Sequence, residues 1–161
     1  MTDFRALLSV LVAARVDFII VGGAAATAHG SARLTNDLDV VYSRTRENLA
    51  RLVGALAPHA PYLRGAPPGL PFDWSEQTLR HGLNFTLTTT LGALDLLGEI
   101  TGGGDYAALL PDVIPLQLYG LECKCLGLAR LIHVKRAAGR PKDLEVVAEL
   151  EAILEERKGH N

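Results

Sequence analysis

Asp37 and Asp39, in the stretch Asp37-Leu38-Asp39-Val40-Val41-Tyr42, are the pair whose type and spacing most clearly serve chemistry. Side chains two apart on a strand point to one face, so these carboxylates repel each other unless a cation lies between them. A hard divalent cation meets that need. Magnesium takes oxygen ligands, keeps some of its waters and is completed by substrate phosphates, so a few carboxylates suffice for a phosphoryl-transfer site holding Mg2+ or Mn2+. About fourteen residues earlier, Gly22-Gly23 stands where a strand ends and a helix begins. Backbone N–H groups can approach an anion there, and the helix N-terminus adds favourable partial charge, which makes a phosphate seat. Alone, Gly-Gly is often a plain turn and Asp-x-Asp a solvated acidic loop. Their order and spacing carry the case.

The elements that must position these groups can be read from periodicity. Leu7, Leu8, Leu11 and Val12 form an apolar stripe at helical spacing, and Asp17 to Val21 is a short β-branched and aromatic run. Ala24 to Ala28 has strong helix propensity and Gly30 closes it. Asp37 to Tyr42 reads as a second strand, then a helix runs to Leu56 with Ser43 and Thr45 as N-cap candidates. Residues 57 to 71 carry Pro58, Pro61, Pro67, Pro68 and Pro71, which predicts a surface loop without regular structure. Leu83 to Thr89 and Ala93 to Leu97 predict a hairpin, and Val113 to Leu118 and Leu121 to Cys125 two further strands. Leu126 to Ala138 and Asp143 to Arg157 predict the last helices, separated by Gly139-Arg140-Pro141. The class is therefore α/β (α+β), a mixed β-sheet flanked by helices with the C-terminal helices packing on the sheet.

VDFIIVGGAAATAHGSARLTNDLDVV resembles the nucleotidyltransferase superfamily of polymerase-β type, in which Gly-Gly or Gly-Ser opens a short helix and a strand with Asp-x-Asp follows. Gly-Gly, Ala-x-x-x-His-Gly and Arg-x-Thr-x-Asp-x-Asp together look like the minimal bacterial branch related to abortive-infection toxins. LIHVKRAAGRPKDLEVV, residues 131 to 147, is similar to the tail of that branch. The resemblance implies a nucleotidyltransferase fold and transfer of a nucleoside monophosphate from a nucleoside triphosphate to a hydroxyl acceptor, whether protein, tRNA or small molecule. It also implies a cognate toxin or antitoxin as a possible partner. Its third carboxylate would be Asp95, an acid between leucines on a strand, with Glu99 as the rival. Lys135 would approach the triphosphate, and Arg33 and Thr35 could meet phosphate oxygens, as a forked donor and a hydroxyl. Arg140 and Lys142 are weaker candidates. His29 reads as a loop-orienting hydrogen-bonding group, and Trp74 and Tyr62 as packed aromatics as readily as base-stacking ones.

The bulk numbers bound the rest. The chain has 161 residues, 48% hydrophobic, a size suited to a single domain over residues 1–161. Sixteen basic and eighteen acidic residues give a net charge of -2, so any nucleic-acid contact must be local. Asp3, Arg5, Arg15 and Asp17 interrupt the N-terminal apolar run, which reads neither as a signal peptide nor as a spanning helix, and the expected location is the cytoplasm. Cys123 and Cys125, the only cysteines, are too few for a four-thiolate site and read as buried thiols. A non-catalytic or weakly catalytic nucleotide-binding module, antitoxin-like, is the competing function. Aspartate phosphatases and glycosyltransferases fail on context, since there is no Asp-x-Asp-Gly-Thr stretch and little room for a sugar-nucleotide domain.

Overall fold

The computed structural model describes residues 1–159. Its elements run α1 (Phe4–Ala13), β1 (Phe18–Val21), α2 (Gly22–Ala28), β2 (Asp37–Tyr42), α3 (Arg46–Leu56), β3 (Tyr62–Leu63), α4 (Glu76–His81), β4 (Asn84–Thr89) and β5 (Gly92–Leu97). There follow β6 (Glu99–Ile100), β7 (Gly104–Asp105), α5 (Tyr106–Leu109), β8 (Val113–Leu118), β9 (Leu121–Leu126), α6 (Leu128–Ala138) and α7 (Pro141–Gly159). Side chains fix several starts: Asp3 accepts from the Ala6 N–H at 3.0 Å to cap α1, and Thr45, rather than Ser43, caps α3.

Seven strands form one mixed sheet in the order β3-β4-β5-β2-β1-β9-β8. β1 lies antiparallel to β2 and parallel to β9, and β2 lies parallel to β5. Alternation divides β2, β4 and β5 into two faces. Leu38, Val40, Phe85, Leu87, Leu94 and Leu96 are buried in a cluster with Leu7 and Leu11 of α1 and Leu49 and Leu52 of α3. Asn84, Thr86 and Thr88 point the other way and are exposed. α2 packs against β1 and β2, with α6 beside it and α7 against α6. This mixed sheet flanked by helices, with the C-terminal pair packed alongside, is the architecture that the sequence predicts.

The predicted loop over 57–71 is not structureless. It holds a 3-10 turn, Ala57–His59, and the edge strand β3, which pairs with β4 through Tyr62↔Thr88 and Leu63↔Leu87. Prolines stand before and after Tyr62-Leu63-Arg64 but not within it, so those residues keep their donors, and the Arg64 N–H reaches the Thr86 carbonyl at 2.9 Å. Two smaller boundaries also move: Leu126 completes β9 rather than opening α6, and Pro141 is already in the first turn of α7. A turn through Gly102 and Gly103 closes the small β6–β7 ribbon. Cys123 and Cys125 are free and buried, and burial pushes the Cys125 thiol up to about 12. Trp74 donates from Nε1 to the Val53 carbonyl at 3.0 Å, and Tyr62 packs edge-on to Phe72, so both aromatics are engaged within the protein. No helix among the described residues is long and apolar enough to cross a membrane.

Candidate metal–nucleotide site

The parallel register of β2 and β5 sets Asp39 opposite Asp95, with Asp37 two residues away on the same face. One carboxylate oxygen from each of the three lies within 4.8 Å of the others. Glu99 is exposed on β6 and lies outside this cluster. Asp39 is the most constrained member: its Oδ1 is buried and accepts no hydrogen bond. Burial pushes its carboxyl up to about 8, the hydrogen bond and charge of Asp95 and the charge of Asp37 push the same way, and Lys135 opposes them. An orphaned buried oxygen among three hard donors fits a divalent cation, which would relieve the desolvation and the repulsion together.

Arg64 enters the cluster from the end of β3. Its Nη2 donates to Asp95 Oδ1 at 2.7 Å and to the Leu87 carbonyl at 2.7 Å, and its Nη1 stands 3.6 Å from Asp37 Oδ2. Sequence reasoning missed this residue because it sits in the proline-rich stretch taken for a loop. No local signal marks it, since a strand of two residues carries no period.

Gly22 and Gly23 are the first two residues of α2, and no side chain caps that first turn. A Cβ at Gly22 would fall 2.1 Å from Asp39 Oδ2, and its φ of +64° is left-handed, so only glycine brings the helix start this close to the carboxylate. Thr35 lies against Gly23, where a Cβ would meet its Oγ1 at 2.8 Å, and donates that hydroxyl to the Asp37 carbonyl at 3.2 Å. Arg33 is turned outward to Glu145 of α7 at 3.3 Å, with both side chains about half exposed. His29 is buried: its Nε2 donates to the Leu126 carbonyl at 2.8 Å and its Nδ1 accepts from Arg157 at 3.1 Å. The ring joins α2 to β9 and α7 without touching the acids.

The other wall is the corner between α6 and α7. Lys135 is 13% exposed and lies 3.5 Å from Asp143, which is 1% exposed. Asp143 also accepts from Arg140, at 2.6 Å from Nε and 3.2 Å from Nη2, and from the Arg140 backbone N–H at 3.3 Å, half of a capping box that starts α7. Asp143 is the second residue missed in the sequence, since nothing local distinguishes it from a solvated first-turn acid. Two cavities meet at Asp39, Lys135, Arg140 and Asp143. One, of about 540 Å³, adds Gly23, Arg33, Thr35, Asp37 and Lys142; the other, of about 410 Å³, adds Gly22, Asn84, Leu97, Ile100 and Val134. The first suits a polyphosphate by its cations and hydroxyls, and the second combines apolar walls with a few polar groups.

No protein-family model and no curated protein matches the chain. Among solved structures it is similar to the lincosamide antibiotic adenylyltransferase LnuA in its lincomycin-bound crystal form, with a TM-score of 0.61 at 13% identity, over 94% of this chain and 98% of that one. It is also similar to the crystal structure of ANT(2")-Ia in complex with adenylyl-2"-tobramycin, with a TM-score of 0.54 at 12% identity over 97% and 95% of the two chains. The solution structure of the antibiotic-resistance factor ANT(2'')-Ia gives a TM-score of 0.50 at 14% identity over 97% and 91%. At such identities the likeness is one of architecture, and the chain has the nucleotidyltransferase fold.

Proposed function

We propose that the chain, as one domain, is a Mg2+- or Mn2+-dependent nucleotidyltransferase that moves a nucleoside monophosphate from a nucleoside triphosphate to a hydroxyl acceptor. The observation that carries this reading is the convergence of Asp37, Asp39 and Asp95, with an unsatisfied Asp39 oxygen, against the Gly22-Gly23 helix start. Asp37 and Asp39 hold the cation, with Asp95 as the third carboxylate on the acceptor side. A bound divalent cation supplies charge neutralisation at the phosphates. Gly22 and Gly23 admit phosphate oxygens to backbone N–H groups, Lys135 faces the same oxygens as a point charge, and Thr35 steadies the loop before Asp37. Arg33 reaches the triphosphate by exchanging its exposed pairing with Glu145, a pair of small worth in water. In the reaction the acceptor oxygen forms a bond to the α-phosphorus, the bond to the bridging oxygen breaks, pyrophosphate leaves with the electron pair, and the acceptor proton passes to solvent.

A small molecule is the first acceptor to test, because two of the similar structures hold lincomycin and an adenylylated tobramycin. A protein side chain or a tRNA end follows from the resemblance to the abortive-infection branch, as does a cytoplasmic partner in a toxin–antitoxin pair. Chain length gives the non-catalytic alternative no support: LnuA, an adenylyltransferase, is matched over 98% of its own chain by one of this size. The test is incubation of the wild-type protein and D39N with each of four labelled triphosphates and Mg2+, against small-molecule, total-RNA and total-protein acceptors. Label should move with the wild type and not with D39N. No transfer from any triphosphate, together with a co-purifying protein partner, would instead favour the binding module.

A further inference from the structure

We propose that Arg64 is a resident counter-ion of the acidic triad, which neutralises its Asp95 side and leaves Asp37 and Asp39 to take one divalent cation rather than two. This rests on reading the triad as the metal site. Two-metal sites hold their cations roughly 3.5–4 Å apart, a spacing for which three carboxylates gathered within 4.8 Å have room. Arg64 already brings a permanent positive charge into that space.

Its placement is built rather than incidental. The backbone is held in the sheet by the Arg64 N–H to the Thr86 carbonyl, and the guanidinium is fixed by the Leu87 carbonyl and Asp95 Oδ1, each at 2.7 Å. A forked donor can hold a carbonyl and a carboxylate while its other nitrogen stays near Asp37 Oδ2, at 3.6 Å. The demand for positive charge is therefore met by direct contact at Asp95 but only at longer range, by Lys135, at Asp39, whose Oδ1 has no partner and which Arg64 does not bond. The three carboxylates and one guanidinium together call for a single further cation, and that cation belongs beside Asp39. On the acceptor side a protein cation stands where a second metal would otherwise lie.

The test is metal counting, independent of turnover. Mn2+ is titrated into the full chain and into R64Q, D95N and D39N, with free Mn2+ read by electron paramagnetic resonance and folding checked by circular dichroism. Wild type should bind one Mn2+ per chain. R64Q should bind a second, or bind the first about tenfold more tightly, as loss of a neighbouring positive charge requires. Should R64Q not fold, D95N against D39N decides: D95N should keep one site and D39N should lose it. Two sites in the wild type, an R64Q titration identical to wild type, or loss of the site in D95N would overturn the role given to Arg64. A wild type that binds no Mn2+ overturns the metal-site reading itself, and this inference with it.

Discussion

At the scale of single residues, Asp39 and Gly22 form the tightest pair. Their approach is so close that a methyl group at Gly22 would overlap Asp39 Oδ2 and would also sit at a left-handed φ. G22A should therefore lose about 1–3 kcal/mol of stability in a denaturant melt and lose nucleotide binding with it. A variant as stable as wild type would show that the close approach is dispensable. Asp37, Asp39, Gly22 and Gly23 were legible because their chemistry is written in local spacing, and Asp95 because an acid between leucines on a strand calls for a partner. Arg64 and Asp143 were not, since what distinguishes them is reached only in three dimensions. Arg64 meets Asp95 from 31 residues away, and Asp143 is buried where Lys135 of α6 and Arg140 close on it.

At the scale of elements, two junctions hold the site in shape. The end of α2 is joined to β9 and α7 through His29, whose burial, reinforced by the charge of Arg157, keeps its imidazole below the usual histidine range despite the hydrogen bond to Leu126. A group whose folded pKa is lowered contributes stability above its unfolded pKa, near 6.5, and loses it as pH falls through the folded value. Because Asp39, whose carboxyl is pushed up to about 8, acts in the opposite sense over the same range, the His29 contribution is read as a difference: below about pH 6.5 the wild type should lose stability relative to H29Q, and a difference that does not change with pH would count against the neutral ring. The α6–α7 corner depends on Asp143. D143A should cost about 1–3 kcal/mol by leaving Lys135 short of its partner, and should lower transfer while leaving Mn2+ binding in place, measured by melts and by metal titration. The long elements were legible, with β1, β2, the β4–β5 hairpin and α6 marked by periodicity. β3 and the six-residue α4 were not, because elements this short carry no period and exist through pairing and packing with their neighbours.

At the scale of the whole molecule, one face of β2, β4 and β5 is closed over the shared apolar cluster, while the other presents the triad beside exposed Asn84, Thr86 and Thr88. That asymmetry leaves an open polar sheet surface next to Asp95, where the proposed function would place an acceptor, with the cation-lined cavity on the far side of Asp39. A net charge of -2 offers no general attraction to polyanions, so under the proposed function a nucleotide would be captured locally, by Lys135, the α2 start and a cation held at the acids. Fold class was legible because alternating strands and helices admit few packings, whereas the position of the open polar surface depends on which sheet face the helices leave uncovered. The central claim is that Asp37 and Asp39 hold a cation that binds the nucleotide. Calorimetric titration of each nucleoside triphosphate into wild type and D39N, with Mg2+ and with EDTA, tests it most directly. The account requires binding by the wild type that depends on Mg2+ and is absent in a folded D39N; equal binding by D39N, or binding indifferent to EDTA, would contradict it.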